Sequence, residues 1–345
     1  MRTEEVLSIL CRTDGPSGFE GPVAEAAKGL LAPLVDEVWI SRLGDLVGVR
    51  RCGRPGAKKL LLDAHLDEIG LMVTGVEGGY LRFRAIGGVD PRMLPARELT
   101  ILTQPPIFGV VATRPPHLQA GEKSDQAISM EELRIDIGMT QEEAVQAVPI
   151  GTPAVYRARC FPLGADKLCG KAMDDRSCFT VLLRAMELLR DQELDVDVYV
   201  LGSVREETNG TGAITSTYSI APDYCVAVDV TFGAAPDTPK GKAYELKGGP
   251  VVGVGPNMTR WMSQRLKDKA EKEAIPYQIE VMGGSSGTNG WRMQTVREGI
   301  ATAVLSLPLR YMHSPIEVLD KNDLERTAQL LAAFVVDLGK EMPEC

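Results

Sequence analysis

Residues 58–65 read KKLLLDAH, and this stretch decides how the rest of the chain is interpreted. Three consecutive leucines followed at once by polar residues are typical of a strand that is buried on both faces and ends where the polar residues begin. Strands of this kind belong to the parallel sheets of α/β proteins. The stretch therefore predicts an α/β fold with His65 at the C-terminal edge of a central strand.

The residues before this strand predict two helices and two further strands. The first helix is amphipathic, with Val6, Ile9 and Leu10 on its apolar side, and a GPSG turn separates it from a second helix that begins near Pro22. Strands are expected near residues 37 and 46. Together these elements open the α/β layer that the leucine-rich strand continues.

The hydrophobic pattern of the sequence changes after residue 67. Short alternating segments such as LMVTGV, YLRFRAI, LTILTQ and IFGVVAT are separated by Gly and Pro, and one short helical stretch covers residues 140–147. This pattern predicts a β-rich domain of residues 68–162. The α/β domain is then discontinuous and consists of residues 1–67 and 163–345.

The α/β pattern returns after residue 162. SCFTVLLRAMELLRD has apolar residues at helical spacing, and the runs VDVYVLGS, YCVAVDVT and TAVLSLPL predict further strands. A last helix is expected to cover the sheet with one apolar stripe, formed by Leu324, Ala328, Leu331, Val335 and Leu338.

Composition narrows the class of function. The chain has 345 residues, of which 44% are hydrophobic, and a formal net charge of -9, which disfavours binding to nucleic acid or to anionic membranes. The N-terminal residues lack the basic start and the long apolar run that are typical of a secretory signal. No segment approaches the roughly 20 apolar residues of a membrane span. Seven cysteines without a CxxC pair indicate reduced thiols. We therefore expect a cytoplasmic protein that acts on small or peptidic ligands.

Polar residues capable of binding metal follow the predicted strands. Ligands of open α/β sheets bind beyond the C-terminal ends of the strands, and four strands bring such residues to that edge. A further carboxylate, from Asp174, comes from the loop that enters the helix beginning near Ser177, where exposed amides favour carboxylates. The residues at the four strand ends are His65, the pair Glu206 and Glu207, Asp229 and His313.

Each of these residues has a structural alternative. An isolated histidine is usually a hydrogen-bonded core or surface residue, which is our interpretation of His117 in RPPHLQ, and acidic doublets usually start helices or face solvent. The common position at strand ends favours metal binding instead. A carboxylate at Asp229, after the apolar run YCVAV, is costly unless it is paired or bound to metal.

The neighbours of the candidate ligands need separate roles. We expect Asp67 to orient His65. We expect Asp175 to orient a ligand or to move protons, and the alternative for Asp175 is a hydrogen bond to the backbone of its own loop. The whole set predicts a two-metal hydrolytic site with a spare carboxylate that acts as a base.

The motifs resemble those of the M42 metallo-aminopeptidases, also called tetrahedral aminopeptidases, almost from end to end. The matching stretches are GPSGFE, RLGDLVG, DAHLDEIGLMV, IGGVDPRMLPAREL, RPPHL, IDIGM, GKAMDDRS, REETNGTGA, VAVDVT and GIATAVLSLPLRYMHSP. The resemblance implies an aminopeptidase with two divalent ions, zinc or cobalt, that releases N-terminal residues from short peptides. It further implies a phosphorylase/hydrolase-like mixed-sheet catalytic domain, an inserted PDZ-like dimerisation domain, and association into dimers and a tetrahedral dodecamer.

The resemblance also implies a role for each residue of the site. His65 and Asp229 would hold one metal, Glu207 and His313 the other, and Asp174 would bridge both. Glu206 would be the general base, with Asp67 beside it in the catalytic set.

The chain departs from the family pattern at residues 287–290. Gly287, Thr288, Asn289 and Gly290 stand where the family commonly has Gly-Thr-Asp-Ala, so these positions are expected near the substrate and to affect side-chain specificity. Two alternatives to the aminopeptidase remain open. One is a related metal-dependent deacylase or glycan-directed hydrolase, and the other is a non-catalytic assembly subunit. The glycine-rich run GGPVVGVGP that begins at Gly248 lacks the Lys and the Ser or Thr of a P-loop, so a nucleotide site is not expected.

Overall fold

The computed structural model describes residues 2–113, 128–236, 238–239 and 241–338. The strands are β1 (Glu37–Ile40), β2 (Leu46–Arg50), β3 (Lys59–His65), β4 (Gly70–Glu77), β5 (Tyr80–Ile86), β6 (Glu98–Ile101), β7 (Ile107–Ala112), β8 (Arg134–Asp136), β9 (Pro153–Tyr156), β10 (Phe161–Leu163), β11 (Lys167–Gly170), β12 (Asp197–Ser203), β13 (Tyr224–Phe232), β14 (Val251–Val254), β15 (Gln278–Val281), β16 (Ala301–Leu309) and β17 (Glu317–Asp320). The α-helices are α1 (Thr3–Arg12), α2 (Gly21–Leu31), α3 (Gln141–Ala147), α4 (Met173–Leu189), α5 (Thr211–Ile220), α6 (Arg260–Lys272), α7 (Gly290–Met293) and α8 (Lys321–Asp337).

An eight-stranded mixed sheet forms the centre of the larger part of the molecule. Its strand order is β1-β2-β12-β3-β13-β16-β14-β15, and the four inner strands β12, β3, β13 and β16 run parallel. Leu62 of β3 lies between Val200 of β12 and Val226 of β13, and all three side chains are buried. The prediction of a buried parallel strand that ends at His65 is confirmed.

Helices cover both faces of this sheet. α1, α4 and α8 pack together on one face, and α5 and α7 lie on the other. The apolar stripe of α8 is buried as predicted. The stripe of α1 differs from the prediction, because Leu7 and Cys11 join Val6 and Leu10 in the core whereas Ile9 is 48% exposed. No helix of the described residues is long and apolar enough to cross a lipid bilayer.

The predicted β-rich segment contains a closed barrel with the strand order β4-β5-β8-β7-β6-β9. The barrel has a core of its own, which includes Leu81, Leu99 and Ile135. β10 lies outside the barrel and pairs with β11, which in turn pairs with β17 close to α8. The predicted boundary at residue 162 therefore falls within β10, and the barrel strands themselves span residues 70–156.

Arg176, at the start of α4, links the N-terminal loop to the end of β3. Its side chain is fully buried, and it lies 3.2 Å from a carboxylate oxygen of Glu68. Lys171 donates to the same carboxylate at 2.8 Å. The guanidinium group also donates to four backbone carbonyls, those of Leu10, Thr13, Gly15 and Leu66. Arg176 thus ties together three chain segments next to the candidate site.

Arg176→Met is expected to lower the free energy of unfolding by about 3 to 5 kcal/mol, since it removes one partner of a buried ion pair and leaves backbone carbonyls without donors. Urea denaturation followed by circular dichroism measures the loss. Arg190→Met, at the exposed end of the same helix, is the matched control. Equal losses in the two variants would contradict this role for Arg176.

Candidate metal centre

The parallel strands deliver the predicted residues to one edge of the sheet. His65 is the last residue of β3 and pairs in register with Ser203, the last residue of β12, after which the chain leads to Glu206 and Glu207. Asp229 lies three residues before the end of β13. His313 follows β16 by four residues and has a φ of 61°, in the left-handed region. The predicted ligands are therefore adjacent in space although they are distant in sequence.

Asp174 lies between the two histidines. Its Oδ1 is 3.0 Å from Nε2 of His65, and its Oδ2 is 3.3 Å from Nε2 of His313. Oε1 of Glu207 is also 3.3 Å from Nε2 of His313. Asp174 and Asp175 have non-helical dihedral angles at the start of α4, so regular helix begins after them, close to the predicted start. One carboxylate thus faces a different imidazole with each of its oxygens.

Backbone carbonyls fix the orientation of both imidazole rings. Nδ1 of His65 lies 3.2 Å from the carbonyl oxygen of Asp67, and Nδ1 of His313 lies 3.0 Å from the carbonyl oxygen of Gly88. A carbonyl only accepts, so each Nδ1 carries a proton. In a neutral ring, the Nε2 lone pair would then point at carboxylate oxygens. Such an arrangement requires a proton or a cation between the two groups.

The pKa values follow from this arrangement. Burial alone would lower the pKa of each histidine, but the surrounding carboxylates raise the pKa of His65 well above its ordinary value and that of His313 to about 11. Burial would raise the pKa of Asp174, yet hydrogen bonds from His313 and His65 lower it. Burial and then repulsion from neighbouring carboxylates raise the pKa of Asp229 well above its usual range.

The donor atoms form two overlapping groups among the described residues. His65, Asp174 and Glu207 make one group, and His65, Asp175 and Asp229 make the other, with the atoms of each group within 4.8 Å of one another. Oδ1 of Asp175 is buried without a hydrogen-bond partner. Carboxylate oxygens and imidazole nitrogens suit divalent ions such as zinc. The residues therefore fit a metal centre.

Asp175 contacts the backbone of a candidate ligand. Its Oδ2 accepts a hydrogen bond from the backbone N–H of His65 at 3.2 Å, so it contacts another strand end and not its own loop. Burial raises the pKa of Asp175 well above its usual range, and the charge of Asp229 adds to this effect.

Asp67 contacts both His65 and the loop that carries the glutamate pair. Its carboxylate accepts hydrogen bonds from the backbone N–H groups of Glu206 at 3.0 Å and of Glu207 at 3.1 Å. The same carboxylate is 3.4 Å from Nδ1 of His65. Orientation of His65 is thus only part of its role, because Asp67 also holds both glutamates toward the site.

Glu206 lies next to His65 and is mostly buried. Oε2 lies 4.0 Å from Nε2 of His65, and the side chain is 18% exposed. Burial raises the pKa of Glu206 to about 7, with further contributions from Glu207, Asp174 and Asp67. A general base is most effective when its pKa lies near the working pH.

Glu317 is a residue of the site that the sequence analysis missed. It is 2% exposed, and its Oε2 accepts from the backbone N–H groups of Met173 at 2.7 Å and Asp174 at 3.2 Å. Its Oε1 accepts from the backbone N–H of His313 at 2.8 Å. Glu317 therefore fixes the loops of two candidate ligands. The available signal was an acidic residue four positions after His313, directly before the apolar pair VL.

The predicted substrate-binding residues lie in and around a buried polar cluster. Asn289 is 2% exposed, and its Nδ2 donates to Oδ2 of Asp63 and to Oγ of Ser203, both at 2.9 Å. Thr288 is 7% exposed, and Gly287 has a φ of 70°. Asn289 thus contacts the strands that carry His65 and the glutamate pair from within the protein. Its role in substrate binding stays a prediction. His117 lies outside the described residues.

Comparison with known proteins identifies the family. The profile of the M42 glutamyl aminopeptidases matches residues 44–330. Lysyl aminopeptidase of Pyrococcus furiosus is 35% identical over 97% of both chains. An aminopeptidase of the archaeon Desulfurococcus kamchatkensis superposes with a TM-score of 0.90 at 34% identity, over 97% of this chain and 95% of the other. The TET1 peptidase of Pyrococcus horikoshii, described as assembling into a tetrahedron or a large octahedral shell, has a TM-score of 0.85 at 30% identity over 97% and 100% of the chains. These matches confirm the resemblance: the chain belongs to the M42 glutamyl aminopeptidase family and is an aminopeptidase.

Proposed function

We propose that this aminopeptidase depends on two divalent metal ions and releases N-terminal residues from short peptides. The observation that carries the proposal is the position of Asp174, whose two oxygens each face the Nε2 atom of a different histidine. A carboxylate in that position can bridge two cations. The ligands would be His65 and Asp229 for one ion, Glu207 and His313 for the other, and Asp174 for both, with zinc or cobalt as the metal.

Glu206 would act as the general base. Two cations bound at the site would lower the pKa of a water molecule and polarise the scissile carbonyl. Glu206 takes the proton from the attacking water and passes it to the nitrogen of the leaving amine. Asp67 keeps the carboxylate of Glu206 in reach by holding its backbone N–H. A carboxylate of the site together with an open metal position could also bind the N-terminal amine of a peptide, which favours an exopeptidase.

The preferred N-terminal residue does not follow from the relatives. A lysyl aminopeptidase is 35% identical to this chain, whereas the family description names a glutamyl enzyme, and the two side chains carry opposite charges. We propose that residues Gly287 to Asn289 influence this preference, through the position of the strands that Asn289 contacts rather than through direct contact of its buried amide with substrate.

We further propose that the chain associates into dimers and a tetrahedral dodecamer, and that the barrel is a PDZ-like domain that mediates dimer contacts. The assembly described for the TET1 peptidase of P. horikoshii supports this proposal. Phe108 and Val110 alternate along β7 and are 48% and 37% exposed, so the outer face of that strand offers apolar surface.

A cytoplasmic location is proposed on the cysteine usage of the sequence. Nucleic-acid and membrane partners are not proposed, given the net charge of -9.

The proposed reaction is tested by rates of release from a panel of aminoacyl p-nitroanilides and short peptides. Metal-stripped protein is assayed alone and after addition of zinc, cobalt or manganese. We expect activity only with metal, and the panel then gives the preferred residue. N-acetylated amino acids and a soluble β-glucan test the deacylase and glycan alternatives. Metal binding without turnover of any aminoacyl substrate would contradict the proposal.

A further inference from the structure

The barrel contacts the metal centre through a turn of two glycines. Gly87 and Gly88 directly follow β5, and a Cβ atom built on Gly87 would lie 3.2 Å from Oε2 of Glu207. A Cβ atom on Gly88 would lie 2.6 Å from Nδ1 of His313. The turn thus approaches both candidate ligands of the second metal, and at Gly88 the approach is closer than a Cβ atom allows.

The two histidines of the site are held by different parts of the molecule. His65 is 2% exposed, and its Nδ1 faces the carbonyl oxygen of Asp67, two residues further along the chain. The side chain of His313 is 31% exposed, and its Nδ1 faces the carbonyl oxygen of Gly88, which belongs to the barrel. His313 otherwise sits on a turn with positive φ, fixed at its backbone N–H by Glu317.

We propose that Gly88 is a positioning residue that keeps Nε2 of His313 directed at Asp174 and Glu207, and so sets the affinity of one of the two metal positions. This inference rests on the proposed two-metal function. The hydrogen bond from Nδ1–H to the Gly88 carbonyl fixes the tautomer that leaves Nε2 free to bind metal. The other position, which would use His65 and Asp229 together with Asp174, draws its donors from outside the barrel.

Residue 88 must be glycine because there is no room for a Cβ atom, and not because of its backbone conformation. Gly88 does not have the positive φ found at Gly87, so alanine fits its backbone without strain. The added methyl group would however overlap the imidazole of His313, because 2.6 Å is well inside van der Waals contact. The ring must then turn or move away from the carbonyl. A single methyl group therefore tests the contact.

The experiment measures zinc binding to metal-stripped full-length protein by equilibrium dialysis. Wild type is expected to bind two ions. For Gly88→Ala, we expect the dissociation constant of one ion to rise by about 10- to 100-fold while the other is unchanged, since this is the usual effect of removing a group that orients a ligand. Gly75→Ala is the control. Gly75 also belongs to the barrel, has no positive φ, and has open space where a Cβ atom would be. Zinc binding by the Gly75→Ala variant is therefore expected to match that of wild type.

A double-mutant cycle separates this role from general damage to the fold. In a His313→Ala background, Gly88→Ala should cause no further loss of zinc binding, because the residue on which it acts is gone. Unchanged binding in Gly88→Ala, equal weakening of both ions, or a further loss in the double variant would each overturn the inference. If wild type itself bound no zinc, the proposed function would fail and the inference with it.

Discussion

Glu206→Gln is expected to lower kcat/KM for aminoacyl p-nitroanilides by about 10²- to 10⁴-fold, while the protein still binds two metal ions. Glutamine has nearly the shape of glutamate but cannot accept the proton of the attacking water, and general bases contribute factors of this size. The loss should appear mainly in kcat, since the carboxylate acts on the reacting water. The expected retention of metal follows from the assignment of Glu207, and not Glu206, as a ligand.

Steady-state kinetics and metal analysis of the same preparation check this prediction. Glu273→Gln, an exposed glutamate at the end of α6, makes the same chemical change away from the site and should leave kinetics unaltered. Loss of metal in Glu206→Gln would mean that Glu206 is a ligand. Undiminished kcat would rule it out as the base.

Asp174→Asn is expected to abolish activity and to weaken binding of both metal ions by more than about 100-fold. Each oxygen of Asp174 faces a separate imidazole, at 3.0 and 3.3 Å. An amide keeps one oxygen and replaces the other by an NH₂ group, which cannot ligate a cation. Groups that only orient a ligand already account for 10- to 100-fold in metal affinity, so a shared ligand should exceed that range.

Zinc titration of the metal-stripped variant, together with its thermal midpoint, tests the role of Asp174. Asp191→Asn, an exposed residue just beyond the same helix, is the control. If Asp174→Asn bound two ions as tightly as wild type, Asp174 would not be the bridge. Loss of one ion alone would assign it to a single metal.

The sheet and the set of candidate ligands could be predicted because their signals are local. Three leucines before Asp63 predict a buried strand, and the strand ends in a polar residue that must lie at the sheet edge. The same reasoning placed Glu206, Glu207 and Asp229. The α1 stripe was less certain, since apolar residues at positions 6, 7, 9 and 10 fit two neighbouring helix faces and only tertiary packing decides between them.

The support of the site could not be predicted, because it depends on contacts between segments that are far apart in sequence. The apolar pair after Glu317 marks this glutamate as unusual, but it does not indicate that the carboxylate accepts a hydrogen bond from the backbone N–H of Asp174. Nothing near Gly88 indicates that its carbonyl faces His313. These contacts use backbone N–H and C=O groups, which almost every residue has, so they do not select a particular residue type. The exception is a position such as Gly88, where there is no room for a side chain.

Asn289 was singled out by the sequence, but its contacts could not be predicted from the sequence. The sequence drew attention to it as a missing charge near the substrate, but its amide donates to the carboxylate of Asp63 in the interior. A carboxylate at position 289 would instead face Asp63 as a like charge. Asp63 therefore explains why this chain has Asn289 where the family commonly has Asp, and that contact is visible only in the folded structure, where β3 meets the segment before α7.

The order in which the chain is synthesised gives the split site a biological consequence. His65 and Asp67 leave the ribosome before the barrel strands, whereas His313 and Glu317 leave it after the barrel and most of the sheet have been made. The Asp174 carboxylate has only one of its two imidazoles until then. A chain that ends before residue 313 accordingly lacks one of the two imidazoles that face Asp174, and it cannot form the complete centre.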